Sequence, residues 1–294
     1  ASWWSDWDAE TGLQWERLEA YGLMAGPGKL RGRLANGTIQ VDPLTLDFNQ
    51  GRLETTPQIR LATSPPALVL SPGSRISQAR ITPELCQSWL QYIAPVLANA
   101  TRAEGEFSLE LQRTMVPLTS ARHANVEGML DIHGAQIRPG PMTEQLVTLA
   151  HQIEAIVRRR PSQAAARSNQ LNIEPQQVAF AVIDEQVHHR GFRVEVGDVL
   201  MQTSGTVGMD GQLQIAVDVP IRDAWIEGDR YLSGLQGQSV RIPVRGTLSR
   251  PQLDKSALSQ ITKQMAGSAA GGLLDDALQE GLQNGLDSLF KRKP

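Results

Sequence analysis

Gln212-Leu213-Gln214-Ile215-Ala216-Val217-Asp218-Val219 alternates apolar and polar residues, Ala216 excepted. Successive side chains of a strand leave on opposite faces. Leu213, Ile215, Val217 and Val219 therefore point one way, and Gln212, Gln214 and Asp218 the other. The pattern describes a sheet with one dry face and one wet face. Asp210-Gly211, just upstream, reads as a hairpin turn joining roughly 199–209 to 212–220. The same code recurs in Thr38–Asp42, Leu44–Phe48, Phe107–Leu111, Phe192–Val196 and Val240–Val244. Val126 to Ile137 is a further strand, interrupted by Gly128 and Gly134. Asn36-Gly37 tolerates positive φ at both positions and predicts a tight hairpin. Pro57, Pro65, Pro66 and Pro72 mark 57–76 as edge strands or extended connections.

Helical spacing interrupts this pattern. Thr82-Pro83-Glu84-Leu85 combines a cap, a first-turn proline and an acid, opening a helix over about 83–98 with Leu85, Trp89, Ile93 and Val96 or Leu97 on one face. A second helix is expected over 141–159, with Leu146, Leu149, Ile153 and Ile156 or Val157 aligned. Trp7, Glu10, Leu13, Gln14, Arg17, Leu18 and Tyr21 fit a short amphipathic helix near the start. Leu274, Leu278, Leu282, Leu286 and Leu289 form the stripe of a helical tail that ends in Lys291-Arg292-Lys293. Arg80-Ile-Thr-Pro83, Arg138-Pro-Gly-Pro141 and Arg250-Pro251 form a weak repeat in which a strand meets an arginine, a proline and then a helix. The expected fold is α+β: a strongly twisted, mostly antiparallel sheet curling around two helices, with a helical C-terminal tail. Residues 1–252 form the β-rich domain and 253–294 the tail.

Composition narrows the function. The chain has 294 residues with 40% hydrophobic content, enough for a sizeable core. A net charge of −3 with mixed signs argues against nucleic acid as a partner. Cys86 is the only cysteine and cannot form an internal disulfide. No apolar run approaches the ~20 residues of a membrane helix. The chain opens on Ala1, which suggests the C-terminal piece of a longer protein or a processed one.

No motif carries a reaction. His188-His189 lies beside Asp184 and Glu185, but adjacent strand residues diverge, and a solvated strand end with a turn explains the group better than a metal does. No Gly-x-Ser-x-Gly elbow is present. Gly26-Pro-Gly28 and the Gly205–Gly208 stretch do not follow the strand–loop–helix order of a phosphate cradle. Asp275-Asp276 is a helical pair with nothing catalytic near it. Asn36-Gly-Thr38 and Asn99-Ala-Thr101 match the glycosylation sequon, a match common by chance. Cys86 reads as a buried small hydrophobe. Neither an enzyme nor a cofactor or metal site is expected.

The apolar face is the remaining candidate. Alternation places Phe192, Val194, Leu213, Ile215, Val217, Ile242 and Val244 on it, as the lining of an open groove for acyl chains or as an ordinary core sealed by the helices.

Val178-Ala-Phe-Ala-Val182, Gly205-Thr-Val-Gly-Met-Asp-Gly-Gln-Leu-Gln-Ile215, Val219-Pro-Ile221 and Ile242-Pro-Val-Arg-Gly-Thr-Leu-Ser-Arg-Pro-Gln-Leu-Asp254 resemble the C-terminal region of AsmA-like proteins. There, Gly-flanked hairpins lead into a Gly-Thr-Leu-x-x-Pro segment and a C-terminal amphipathic helix. The resemblance covers roughly 171–290 and extends weakly over 26–140. It implies a bacterial, periplasmic protein, inner-membrane anchored at full length, that presents an apolar groove and takes part in envelope assembly and phospholipid movement. The family has no catalytic residues to carry over. The anchor has no counterpart here, and the chain is short for a groove spanning an envelope. The function implied is a non-enzymatic envelope protein that binds or guides phospholipid or another acyl-chain lipid, with membrane-surface contact through the C-terminal helix. The alternative is a structural or assembly module with a closed core and no ligand. Oligomeric state is left open.

Overall fold

The computed structural model describes residues 7–256, apart from 21, 101, 139, 159–170, 198, 224–236 and 255. Its strands are β1 (Ala9–Trp15), β2 (Leu18–Ala20), β3 (Leu23–Ala25), β4 (Gly28–Ala35), β5 (Thr38–Val41), β6 (Leu44–Phe48), β7 (Gly51–Thr55), β8 (Pro57–Arg60), β9 (Ala67–Leu70) and β10 (Ser74–Arg80). They continue as β11 (Arg102–Pro117), β12 (Asn125–Arg138), β13 (Leu171–Ile173), β14 (Gln176–Ile183), β15 (Gln186–Val196), β16 (Val199–Gly208), β17 (Leu213–Pro220), β18 (Ser239–Thr247) and β19 (Arg250–Leu253). All 19 belong to one sheet.

Short neighbours act as halves of one broken strand. β5 and β6 pair with β8 and β7, which pair in turn with β9 and β10. β9 and β10 then share the 16-residue β11. With the halves joined, every pairing links chain neighbours in antiparallel register. The result is an up-and-down meander, the connectivity that tight turns permit. Among the described residues no ladder closes β1 onto β19.

Turn chemistry sets the register. Asn36 and Gly37 take φ of 51° and 69°, the paired positive values expected of that turn. Asn49-Gln50 (47° and 66°) and Asp184-Glu185 (49° and 63°) make the same turn without glycine. The hairpin about Asp210-Gly211 forms, with Val207 opposite Leu213 and Gln202 opposite Asp218. Its turn is wider than two residues: the Gly208 amide donates to the Gln212 carbonyl, and of the pair only Gly211 has positive φ (82°).

Several expectations are corrected. The fold is not α+β around two helices; 62% is strand and 15% helical, in one large sheet. Residues 83–98 are not one helix but a chain of short turns: α1 (Pro83–Leu85), a π turn (Cys86–Leu90), α2 (Gln91–Ile93) and a 3-10 turn (Pro95–Leu97). Pro95 lacks the N–H that would continue the ladder, which stops the helix there. The π turn carries Trp89, whose ring meets Phe107 edge-on at 5.6 Å. Among the described residues only α3 (Pro141–Arg158) is an extended helix. The expected tail over 253–294 falls almost wholly outside the described residues, β19 itself reaching Leu253. The expected helix near the start is instead β1 and β2: Gly12 is a poor helix residue, and pairing with β4 and β3 supplies the hydrogen bonds. Pro57 sits in an interior strand, at its first position, where its missing N–H is tolerated. Arg80–Pro83 and Arg138–Pro141 each lead from a strand into a helical segment as expected, whereas Arg250-Pro251 lies inside β19.

One face of the meander carries the core. Leu46, Phe48, Ile81, Leu85, Leu90, Leu97, Phe107, Leu130, Met142, Leu146 and Leu149 are buried in a single cluster with the β14–β18 face. The helical segments lie on that face: α2 packs on β15 and β16, and α3 on β16, β19 and the Pro95–Leu97 turn. Thr143 Oγ1 donates to the Val96 carbonyl at 2.6 Å and ties the two helical insertions together. The opposite face is wet and laced by ion pairs such as Arg75–Glu54, Arg113–Glu127 and Arg241–Asp218.

Candidate apolar binding face

The seven expected lining residues share one surface. Val217 stands between Thr203 and Ile242, and Phe192 faces Thr203 from the other side. Ile215 stands between Gly205 and Val244. Period-2 alternation in β15, β17 and β18 turns all of them inward. None is open: Phe192, Val217, Ile242 and Val244 are 0% exposed, Val194 1%, Leu213 2% and Ile215 4%. α2 and α3 cover this half of the face. Two surface hollows, of about 580 and 320 Å³, lie elsewhere. One is edged by Asp131, Gln177, Arg193 and Gln202, the other by Arg17, Met24, Asp47 and Asn49.

Over the N-terminal strands the same face is only partly covered. Leu34, Ile39, Ile59, Leu68 and Val116 stand opposite one another across β4, β5, β8, β9 and β11. Each is half-buried, as is Leu30, whose partner Leu13 on β1 is 59% exposed. Val41, two positions beyond Ile39, and Leu46 in the following β6 are buried. The apolar face thus runs from a filled end, beneath the helical turns, to a half-open end at the 35–38 and 60–67 turns. Thr38–Asp42 signals this row by its alternation. Which half the helices would cover has no sequence signal, because it depends on the direction each insertion takes out of the sheet.

The histidines diverge as expected, but the pair is not a solvated strand end. His188 is exposed, whereas His189 lies 3% exposed on the apolar face, between Phe180 and Gly205. Its Nε2 shares a 3.2 Å hydrogen bond with Thr203 Oγ1, and Nδ1 has no partner. Burial, with the neighbouring His188 second, lowers its pKa from 6.5 to about 4, so the ring is neutral near pH 7. Asp184-Glu185 forms the turn. Burial likewise pushes the Cys86 thiol up to about 12, which removes its nucleophilic thiolate. Among the described residues no group of three or more His, Cys, Asp or Glu converges on a metal position. No described helix is long and apolar enough to cross a membrane.

Comparison with known protein families, curated proteins and solved structures finds no match to this chain.

Proposed function

We propose that the protein is a non-catalytic cell-envelope module of AsmA-like type, periplasmic, that takes up the acyl chains of phospholipid on the half-open end of its apolar sheet face. The observation that carries this reading is the row Leu34, Ile39, Ile59, Leu68 and Val116, half-buried yet continuous with a sealed core. A row of aliphatic side chains offers hydrocarbon a dry floor without hydrogen-bonding groups. Covering such surface gains roughly 25 cal/mol per Å². The Lys291-Arg292-Lys293 end would add attraction to an anionic bilayer surface.

The test is native mass spectrometry of gently purified protein for copurified lipid, with titration of a fluorescent fatty-acyl probe. Saturable binding that Ile39→Asp with Ile59→Asp abolishes is the expected result. A protein free of lipid that shows no saturable probe binding overturns it.

The second reading, a closed assembly module without a ligand, is favoured by the burial of Phe192, Val194, Leu213, Ile215, Val217, Ile242 and Val244. It predicts no bound lipid and no probe binding.

A further inference from the structure

The two ends of the sheet are built differently. β19 is four residues long, contains Pro251 and packs against α3, three devices that blunt an edge. β1 is seven residues long, Ala9-Glu-Thr-Gly-Leu-Gln-Trp15, with no proline and no lysine. It pairs with β4 along one side, and among the described residues no strand pairs along the other. All but Trp15 of its residues are exposed, and Leu13 (59%) and Leu18 (47%) are among the most exposed large apolar side chains of the described residues. An unpaired row of backbone donors and acceptors flanked by exposed leucine is a template for a further strand.

We propose that β1 is a self-association edge, at which a second copy of this chain adds its own β1 in antiparallel register about Gly12. β1 is self-complementary in that register. Gly12 faces Gly12, Thr11 faces Leu13, Ala9 faces Trp15, and Glu10 faces Gln14 rather than a second glutamate. Within the strand the only charged residue therefore meets a neutral hydrogen-bonding partner, and just beyond it Asp8 faces Glu16, exposed acids whose repulsion salt screens. Odd positions meet odd positions, which keeps both dry faces on one side of the joined sheet. The half-open rows of the two copies then form one continuous apolar floor. The contact is isologous and closes as a two-fold dimer instead of propagating as a filament. Strand addition supplies main-chain hydrogen bonds, and the alternating side chains supply the register.

The experiment is sedimentation of the full chain across a concentration series, with three variants. Wild type is expected to pass from 32.1 kDa to twice that mass. Leu13→Lys places a charge on an exposed edge position and should raise the dimer dissociation constant at least about tenfold with unchanged circular dichroism. Gly12→Cys should give a disulfide-linked dimer on oxidation. Directly opposed strand residues have Cα atoms about 4.5–5.5 Å apart, within disulfide range. A Cβ at Gly12 meets only the Leu30 carbonyl oxygen, at 3.4 Å, and native Cys86 is buried. Glu10→Cys should fail to cross-link, because the two copies of residue 10 sit about 13 Å apart in this register. A wild type that stays monomeric throughout, a dimer that Leu13→Lys leaves intact, or a Glu10→Cys that cross-links as well as Gly12→Cys would overturn the proposal. These readouts need no lipid, so they stand or fall apart from the lipid-binding reading.

Discussion

His189 is a titratable ring buried on the apolar face, with one nitrogen bonded to Thr203 and the other unpartnered. Such a group makes stability depend on pH. Its folded pKa lies below its unfolded value, so the unfolded chain binds the proton more tightly. The neutral-ring contribution is complete above pH 6.5 and is lost as pH falls toward 4. Over that window it amounts to ~3 kcal/mol by proton linkage. Urea unfolding at pH 7 and pH 4 measures the loss, and His189→Gln, which retains a hydrogen-bonding side chain but does not titrate, should remove most of it. An equal pH dependence in the variant would show that other groups cause it. Asn49 illustrates the opposite solution for a buried polar residue: its side chain accepts from the Met24 amide and donates to the Gly22 carbonyl, at 3.1 Å. Those bonds hold the left-handed turn that joins β6 to β7 without glycine. Nothing in the alternation of 44–55 betrays a turn there, since its determinants lie on a neighbouring strand.

At the scale of the element, the same substitution should have different costs at the two ends of the apolar face. Ile215 lies in β17 between Gly205 and Val244 and is 4% exposed. Ile215→Asp buries a carboxyl with no partner and should cost several kcal/mol, on the order of 3 or more. Ile39 in β5 is half-buried at the half-open end, and Ile39→Asp should cost about 1 kcal/mol, because water reaches the new carboxyl. Denaturant midpoints of the two variants decide the matter, and equal losses would mean that the face is sealed along its whole length. The helical insertions behave similarly as elements. Residues 141–158 carry a regular apolar spacing and form one helix. Residues 83–97 carry the same spacing but are divided by Pro95 and by the packing of Trp89 on Phe107.

Across the whole molecule, burial is uneven. The cluster of wholly buried side chains spans residues 79–98, β11 to β18 and α3, whereas among the described residues β1 to β5 contribute only Val41 to the buried hydrophobics. Amide exchange should follow that division. The amides of β12 and β15–β17 should exchange only on global unfolding, and those of β1 and β2 orders of magnitude faster through local opening. Hydrogen exchange read by mass spectrometry on the native protein checks this. Uniform protection from β1 to β18 would contradict it, unless the sample is dimeric, in which case protection of β1 alone is the signature of the paired edge.

Where alternation is clean, the sequence by itself determined the strand and which way its residues face. Strand alternation is a local property, and Gln212–Val219, Phe192–Val196 and Thr38–Asp42 turn inward and outward as their pattern dictates. It also determined the Asn36-Gly37 turn, whose positive φ values two particular residue types accept cheaply. Only the tertiary structure decided where the apolar face is closed. The path of residues 81–100 and 141–158 across β15, β16 and β19 seals Phe192 through Val244 and leaves the Leu34–Val116 row half-open. Thr38–Asp42 in the one row and Gln212–Val219 in the other alternate alike, so alternation does not separate them; cover depends on contacts between segments far apart in the chain. The strand at Ala9–Trp15 was likewise settled by pairing with β4, since a spacing that fits either helix or strand yields to whichever partner supplies the hydrogen bonds.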